Sequence, residues 1–284
     1  MGGVLIVNPY ATRVTEELIS AVEARLPSGL TTMRTRGQGD ATVLAREIGG
    51  DADTIYVFAG DGTFNEVLNG ANGTIPLGFI PGGGTSVLPR ALGVPRDPVL
   101  AAAQLSRGRT RRISLGRVDD RRFGFSAGIG LDADLVRRVN GLGRRPDGRR
   151  PGDSAFVRQG LRMLAGQRFH LASSLELDGI GRAAFLMAAN CDPYTYAGRV
   201  GLRLAPNATF EGGLDLVAPE RVRFVPALGW WALGRGSSHV RGHDVDRVVV
   251  RCDRPLPLQV DGEDLGDVEV VTLESERDAL TVLI

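Results

Sequence analysis

Residues 55 to 71 constrain the fold more than any other stretch of the chain. An apolar run, Ile55-Tyr56-Val57-Phe58, leads into Ala59-Gly60-Asp61-Gly62-Thr63-Phe64-Asn65-Glu66, after which Phe64, Val67, Leu68 and Ala71 fall on one helical face. A strand therefore stops at glycines and a helix starts just beyond them. The junction bares backbone N–H groups at a helix N-terminus, which suits a phosphate. Asp61 is out of place there, because a carboxylate repels a phosphate unless it handles a metal ion or a proton.

The surrounding pattern extends this unit into a domain. Val4-Leu5-Ile6-Val7, Thr54 to Phe58 and Ile75 to Ile80 read as buried strands. Between and after them lie helical stripes: Val14, Leu18, Val22 and Leu26; then Ala41, Leu44, Ala45 and Ile48; then Leu100 to Leu105. Continuous apolar strands alternating with amphipathic helices predict an open, mostly parallel sheet covered on both faces. The pattern changes near residue 110. Strand-like runs then follow one another: Ile113–Val118, Arg122–Ser126, Leu171–Leu177, Arg182–Asn190, Leu202–Ala205, Leu214–Ala218, Arg247–Val250, Leu256–Val260, Val268–Leu273 and Leu280–Ile284. Only Leu131–Val139 and Ala155–Leu164 look helical. The fold class is thus α/β plus β: an α/β domain over 1–110, then an antiparallel, β-sandwich-like domain with inserted helices over 111–284. The tail from about 275 to 284 is a candidate to pack back on the first domain.

Composition removes several functions. The chain has 34 basic residues and 33 acidic ones, a formal net charge of +1, so no global field favours nucleic acid. Every basic residue is arginine. A Walker-type P-loop and a Schiff-base enzyme both need lysine, so both are excluded. Any cation that holds phosphate must be arginine or a metal. Two cysteines, Cys191 and Cys252, and three histidines, His170, His239 and His243, make neither a zinc-ligand spacing nor a disulfide framework. No signal-peptide pattern is present and no apolar run approaches 18 residues, so a cytoplasmic location is expected.

Two further loops share the character of the first. Asn8-Pro9-Tyr10-Ala11-Thr12-Arg13 follows the first strand, and Pro81-Gly82-Gly83-Gly84-Thr85-Ser86 follows another. Ligands of open parallel sheets bind beyond the carboxyl ends of the strands, so three such loops would build one composite phosphate site. A dinucleotide fingerprint fails, since Asn65 stands where its third glycine or alanine belongs. Gly128-x-Gly130-x-x-Ala133 matches the bare pattern but lies in the strand-rich half.

Taken in order, these segments resemble the diacylglycerol kinase catalytic domain family, the superfamily of soluble bacterial lipid kinases and sphingosine kinases. The resemblance rests on Asn8-Pro9, Ala59 to Glu66, Pro81-x-Gly-Gly-Thr85, Phe125 to Ala133, Glu211-Gly212-Gly213-Leu214-Asp215 and Val260-Asp261-Gly262-Glu263. It implies an ATP- and Mg²⁺-dependent kinase of a lipid hydroxyl, most simply diacylglycerol. Asn8, Thr35, Ala59, Gly60, Asp61, Gly62, Thr63, Phe64, Asn65 and Thr85 would surround the nucleotide, with Asp61 in indirect contact with its metal. Glu263 would take the substrate proton, with Asp261 beside it. Glu211 and the backbone near Gly213 would hold a second, structural Mg²⁺. Read without the family, Asp261-Gly262 is an ordinary solvated turn pair.

The chain departs from the family pattern at four places. Ala59 replaces a glycine, Thr12 replaces another, Ser86-Val87 stands where many relatives have Asn-Asp, and Glu211 replaces Asp. A lipid substrate calls for peripheral membrane contact. Val225 to Leu233, which carries Trp230 and Trp231, and the pairs Arg144-Arg145 and Arg149-Arg150 are the candidate segments. A homodimer is a further expected partner state. Two other readings stand beside the lipid kinase: a kinase of a soluble metabolite such as NAD, and a nucleotide-binding regulator that has lost catalysis.

Overall fold

The computed structural model describes residues 2–143, 170–171, 173–198, 200–223 and 240–284. The expected helix over 155–164, the arginine pairs at 144–145 and 149–150, the tryptophan segment 225–233 and His239 lie outside the described residues. The chain divides into two compact units, Met1–Leu115 with Arg277–Ile284, and Gly116–Glu276. The expected boundary at 110 falls at the start of the strand that carries the chain from one unit to the next.

In the first unit, β1 (Val4–Val7), β2 (Thr31–Arg34), β3 (Ile55–Ala59) and β4 (Leu77–Pro81) are parallel in the order β2-β1-β3-β4. The C-terminal residues add a strand beside β4, with Val282 opposite Leu77. All residues of β3 and β4 are buried, as strands covered on both faces require. The helices are α1 (Glu16–Glu23), α2 (Asp40–Ile48), α3 (Asp61–Gly70), the short α4 (Val87–Ala91) and α5 (Pro98–Leu105). α2 packs on α3, and α1 on α5. Right-handed crossovers in opposite directions from β1 and β3 put these pairs on opposite faces. All four residues of the α2 stripe are buried. In α1 the buried face is Ile19 and Val22, with Val14 and Leu26 just outside the helix, while Leu18 is only partly covered. α5 starts where Asp97 accepts the N–H groups of Val99 and Leu100, with Pro98 at the first helical position.

β2 has no counterpart among the expected strands. Its residues, Thr31-Thr32-Met33-Arg34, are exposed or half-buried, because it is the edge strand and buries no apolar run. The core below the motif helix is aromatic. Phe64 meets Phe79 edge to face with ring centroids 5.2 Å apart, and Phe58 is fully buried. Burial of each such ring contributes roughly 1.5–3 kcal/mol.

The second unit is antiparallel. β5 (Thr110–Val118) enters it, followed by β6 (Arg121–Phe123), β7 (Ser126–Ile129) and α6 (Leu131–Asn140). The expected strand Arg122–Ser126 is two strands, parted at Gly124-Phe125. The four segments expected at the C-terminal end are two long strands, Arg247–Val260 and Glu263–Leu283. Arg254-Pro255 interrupts the apolar pattern without ending the first. The register shifts between Arg251 and Leu256 absorb the proline that cannot donate to the ladder. The main strands form one hydrogen-bonded sheet rather than two separate ones. The sandwich-like character lies in the core, where Phe123, Ile129, Leu175, Leu186, Leu214 and Leu273 share one apolar cluster.

Candidate active site

The strand order of the first unit reverses between β1 and β3, so the crevice beyond their carboxyl ends is a topological switch point, where ligands of open α/β sheets bind. The three loops singled out from the sequence meet there. Asn8 donates from Nδ2 to Thr63 Oγ1 (2.8 Å), joining the first loop to the second. Its Oδ1 accepts the Tyr10 N–H and so shapes its own turn. Gly82 N donates to Ala59 O (2.7 Å), and Arg13 N donates to Gly82 O (2.9 Å). A Cβ on Gly83 would lie 2.9 Å from the Gly60 Cα, and one on Gly82 would lie 2.7 Å from Val14 Cγ2. These glycines let backbones touch. Gly62 and Gly84 differ, since a Cβ on either would meet nothing within 4 Å. Their bare backbone faces open space, which is the room a phosphate cradle needs.

Asp61 is tied to the third loop. Its Oδ1 accepts the N–H of Val87 (2.7 Å) and lies 3.5 Å from that of Leu88, so it caps α4 from 26 residues away. Ser86, just before α4, is buried with φ 51°. Asparagine or glycine adopts that conformation more readily than serine. Ala59 sits inside β3, fully buried and without a left-handed φ, so its replacement of glycine costs no strain. Phe64 is also fully buried, facing the sheet, so its side chain is core and offers a nucleotide only backbone. Thr35 and Asn65 are buried, and Thr35 N donates to Val7 O beside the Asn8 loop. Glu66, at the end of the motif, accepts the Ala41 N–H and ties α3 to the start of α2.

Three arginines brace the glycine loop. Arg96 Nη2 donates to Gly84 O (3.0 Å), Arg90 Nη1 to Thr85 O (3.3 Å), and Arg13 Nη1 to Arg96 O (3.2 Å). With no lysine in the chain, a protein cation near these loops has to be arginine; which arginines lie there depends on contacts up to 83 residues apart and is not visible in any motif.

In the second unit, Asp261 and Gly262 form the two-residue turn between the long strands, with φ 48° and 80°. Both residues being left-handed matches the tight hairpin geometry that Asp-Gly favours. The solvated-turn reading fails on burial. Asp261 is 7% exposed, and its carboxylate accepts three backbone N–H groups: Gly124 (2.7 Å), Phe125 (3.0 Å) and Ser126 (3.1 Å). Asp261 is therefore a clamp that fixes the β6–β7 corner, with both oxygens engaged. Glu263 is half-buried, and its Oε2 accepts from Arg121 Nη2 (2.9 Å).

Of the residues expected to hold a structural metal, Glu211 is exposed and Gly213 N donates to Asp244 Oδ1. No group of three or more His, Cys, Asp or Glu is placed to hold a metal ion among the described residues. Asp215, in the same segment, is buried with its Oδ1 against His243 Nδ1 (2.6 Å).

Three glycine-rich loops joined at the switch point of a parallel sheet form a geometry that suits a phosphate. Residues 3–118 match the family model of the diacylglycerol kinase catalytic domain, and this match, with the kinases among the relatives, supports an enzyme of the lipid-kinase class. The chain is 29% identical over 245 residues to the diacylglycerol kinase of Bacillus subtilis (strain 168), across 82% of this chain and 78% of that one. A crystal structure of a diacylglycerol kinase from Bacillus anthracis str. Sterne shares the fold with a TM-score of 0.69 at 21% identity, over 99% of this chain and 96% of that one. An NAD kinase from Archaeoglobus fulgidus, solved with ATP, reaches 0.52 at 13% identity, over 99% and 93%. No helix among the described residues is long and apolar enough to cross a membrane.

Proposed function

We propose that the protein transfers the γ-phosphoryl group of ATP to a lipid hydroxyl, with diacylglycerol as acceptor and phosphatidate as product. The observation that carries this is the joined loop set, Asn8 to Thr63, Gly82 to Ala59 and Val87 to Asp61, with open space above Gly62 and Gly84. Phosphoryl transfer is mainly positioning and charge neutralisation, so a rigid cradle of backbone N–H groups is the main requirement on the nucleotide side. Asn8, Thr35, Gly60, Gly62, Thr63, Asn65 and Thr85 would line it. Asp61 keeps the third loop against the second. A divalent ion would arrive with the nucleotide, held by phosphate oxygens and water. Glu263 would accept the proton of the acceptor hydroxyl, while Asp261, with both oxygens engaged, positions the turn that carries it. The lipid acceptor implies peripheral contact with a bilayer.

The test offers radiolabelled ATP with diacylglycerol vesicles, a sphingoid base and NAD. Label in phosphatidate alone is expected. Label in NADP alone would replace this reading by the soluble-metabolite kinase, and nucleotide binding without any transfer would replace it by the regulator. Glu263→Gln should abolish transfer and keep ATP binding; a fully active variant would remove Glu263 as the base.

A further inference from the structure

One half-buried carboxylate has no part in the proposed transfer. Asp132, in the first turn of α6, receives two hydrogen bonds on Oδ2, from Tyr194 OH (2.6 Å) and from Gln259 Nε2 (2.7 Å). Gln259 Nε2 also lies 3.0 Å from the Tyr194 oxygen. Tyr194 and Gln259 are 4% and 2% exposed, so both polar ends are shielded from solvent, and the Tyr194 hydroxyl also meets Ser126. The other end of the Gln259 amide points at the hairpin turn, where Oε1 accepts the Gly262 N–H (2.8 Å).

The amide has only two orientations. The carboxylate of Asp132 accepts and cannot donate, so it forces the NH₂ end of Gln259 toward itself. The carbonyl end is thereby forced toward Gly262, the residue before Glu263. The backbone is shaped to admit this arrangement. A Cβ at Gly128 would fall 2.3 Å from Asp132 Oδ2 and 3.1 Å from Gln259 Nε2. Gly128 is thus glycine to seat a carboxylate, which gives its dinucleotide-like pattern another cause. The turn is held on its other side by Asp261, through the N–H groups of residues 124–126. Burial pushes the Asp132 carboxyl up from the ordinary aspartate range, against the two hydrogen bonds that lower it.

We infer that Asp132, Tyr194 and Gln259 are a positioning relay that fixes the Asp261-Gly262 turn and so aims Glu263 at the acceptor hydroxyl. The relay rests on the proposed role of Glu263 for its catalytic consequence, but not for its structural one. The structural consequence is protection of one amide, at Gly262.

Two readouts on the full chain separate these. Asp132→Ala frees the Gln259 amide to rotate, so hydrogen exchange at Gly262 should quicken at least tenfold. In lipid phosphorylation, kcat should fall about 10–100-fold with KM for ATP unchanged, as expected when a reacting group is misplaced. Asp132→Asn still offers an oxygen to both donors and should restore protection and rate. Gln259→Glu, close to isosteric, sets an oxygen against Asp132 and should behave like Asp132→Ala even if that variant folds poorly. The relay is overturned if Gly262 exchange is unchanged in both Asp132→Ala and Gln259→Glu, or if Asp132→Asn falls as far as Asp132→Ala. If the exchange pattern holds while the unmodified protein phosphorylates no lipid, the relay stands and the kinase reading falls.

Discussion

The chain carries the dipeptide Asp-Gly among the candidate residues of each unit, and the two copies do different work. Asp61-Gly62 opens a helix at the end of a parallel strand, and Asp261-Gly262 is the reversal of an antiparallel hairpin. In both, the aspartate reaches distant backbone. Asp61 caps a helix 26 residues on, while Asp261 clamps a corner more than 130 residues earlier in the chain. The glycines are opposites. Gly62 has an ordinary helical backbone with open space above it, and Gly262 is left-handed at φ 80°. One dipeptide thus leaves bare backbone beside open space in one unit and makes a tight reversal in the other.

Removal of Asp261 should have the largest effect. Asp261→Ala strands three buried N–H groups, each costing about 1–3 kcal/mol when unpaired, for a total of about 3–5 kcal/mol once the corner relaxes. Chemical denaturation should show it. A loss under about 1 kcal/mol would mean that the clamp is not what holds the corner. Asp61→Ala should cost less, about 1–2 kcal/mol, since it removes a helix cap and a favourable charge at the first turn of α3. Its larger effect should be on ATP affinity measured by calorimetry, because the third loop loses its tether to the second.

How much of this was legible in the sequence depends on the range of each interaction. β1, β3, β4 and the α2 stripe were readable because burial on both faces, or on one helical face, writes itself into local pattern. β2 was not, because an edge strand with Thr31 and Arg34 exposed leaves no apolar signature. The three loops were readable as glycine-rich junctions, and their convergence followed from sheet topology. The roles within them were not. Asp61 looked like a metal-handling residue because its acceptor duty toward Val87 has no sequence mark. Asp261 looked like a turn or a catalytic partner because Gly124, Phe125 and Ser126 are more than 130 residues away. Phe64 was grouped with the nucleotide site by its motif, although its helical spacing with Val67 and Leu68 already placed it in the core.

Alanine at the two glycines sharpens the contrast. Gly262→Ala forces a side chain into the left-handed region and should destabilise by about 1–2 kcal/mol. Gly62→Ala should stabilise the free protein by about 0.5–1 kcal/mol, since alanine is the better helix former and its Cβ meets no atom of the protein. The same Cβ takes up the room above the cradle, so ATP binding should weaken while the thermal midpoint rises. A Gly62→Ala protein that binds ATP as tightly as the parent would place the phosphates elsewhere.

The smallest effect probes the relay behind the second turn through its pH dependence. Burial raises the folded-state pKa of Asp132 above its ordinary value of 3.8. Between those two values the folded protein holds more protons than the unfolded chain, so stability falls as pH rises through that window. Ionising Asp132 in the folded protein therefore carries a cost. Asp132→Asn keeps an acceptor for Tyr194 and Gln259 and removes the charge. It should therefore raise the thermal midpoint at pH 7, with a gain that shrinks toward zero at about pH 3–4, where the native group is already neutral. A gain equal at both pH values would show that folding leaves the Asp132 pKa unchanged, so that burial puts no cost on its charge.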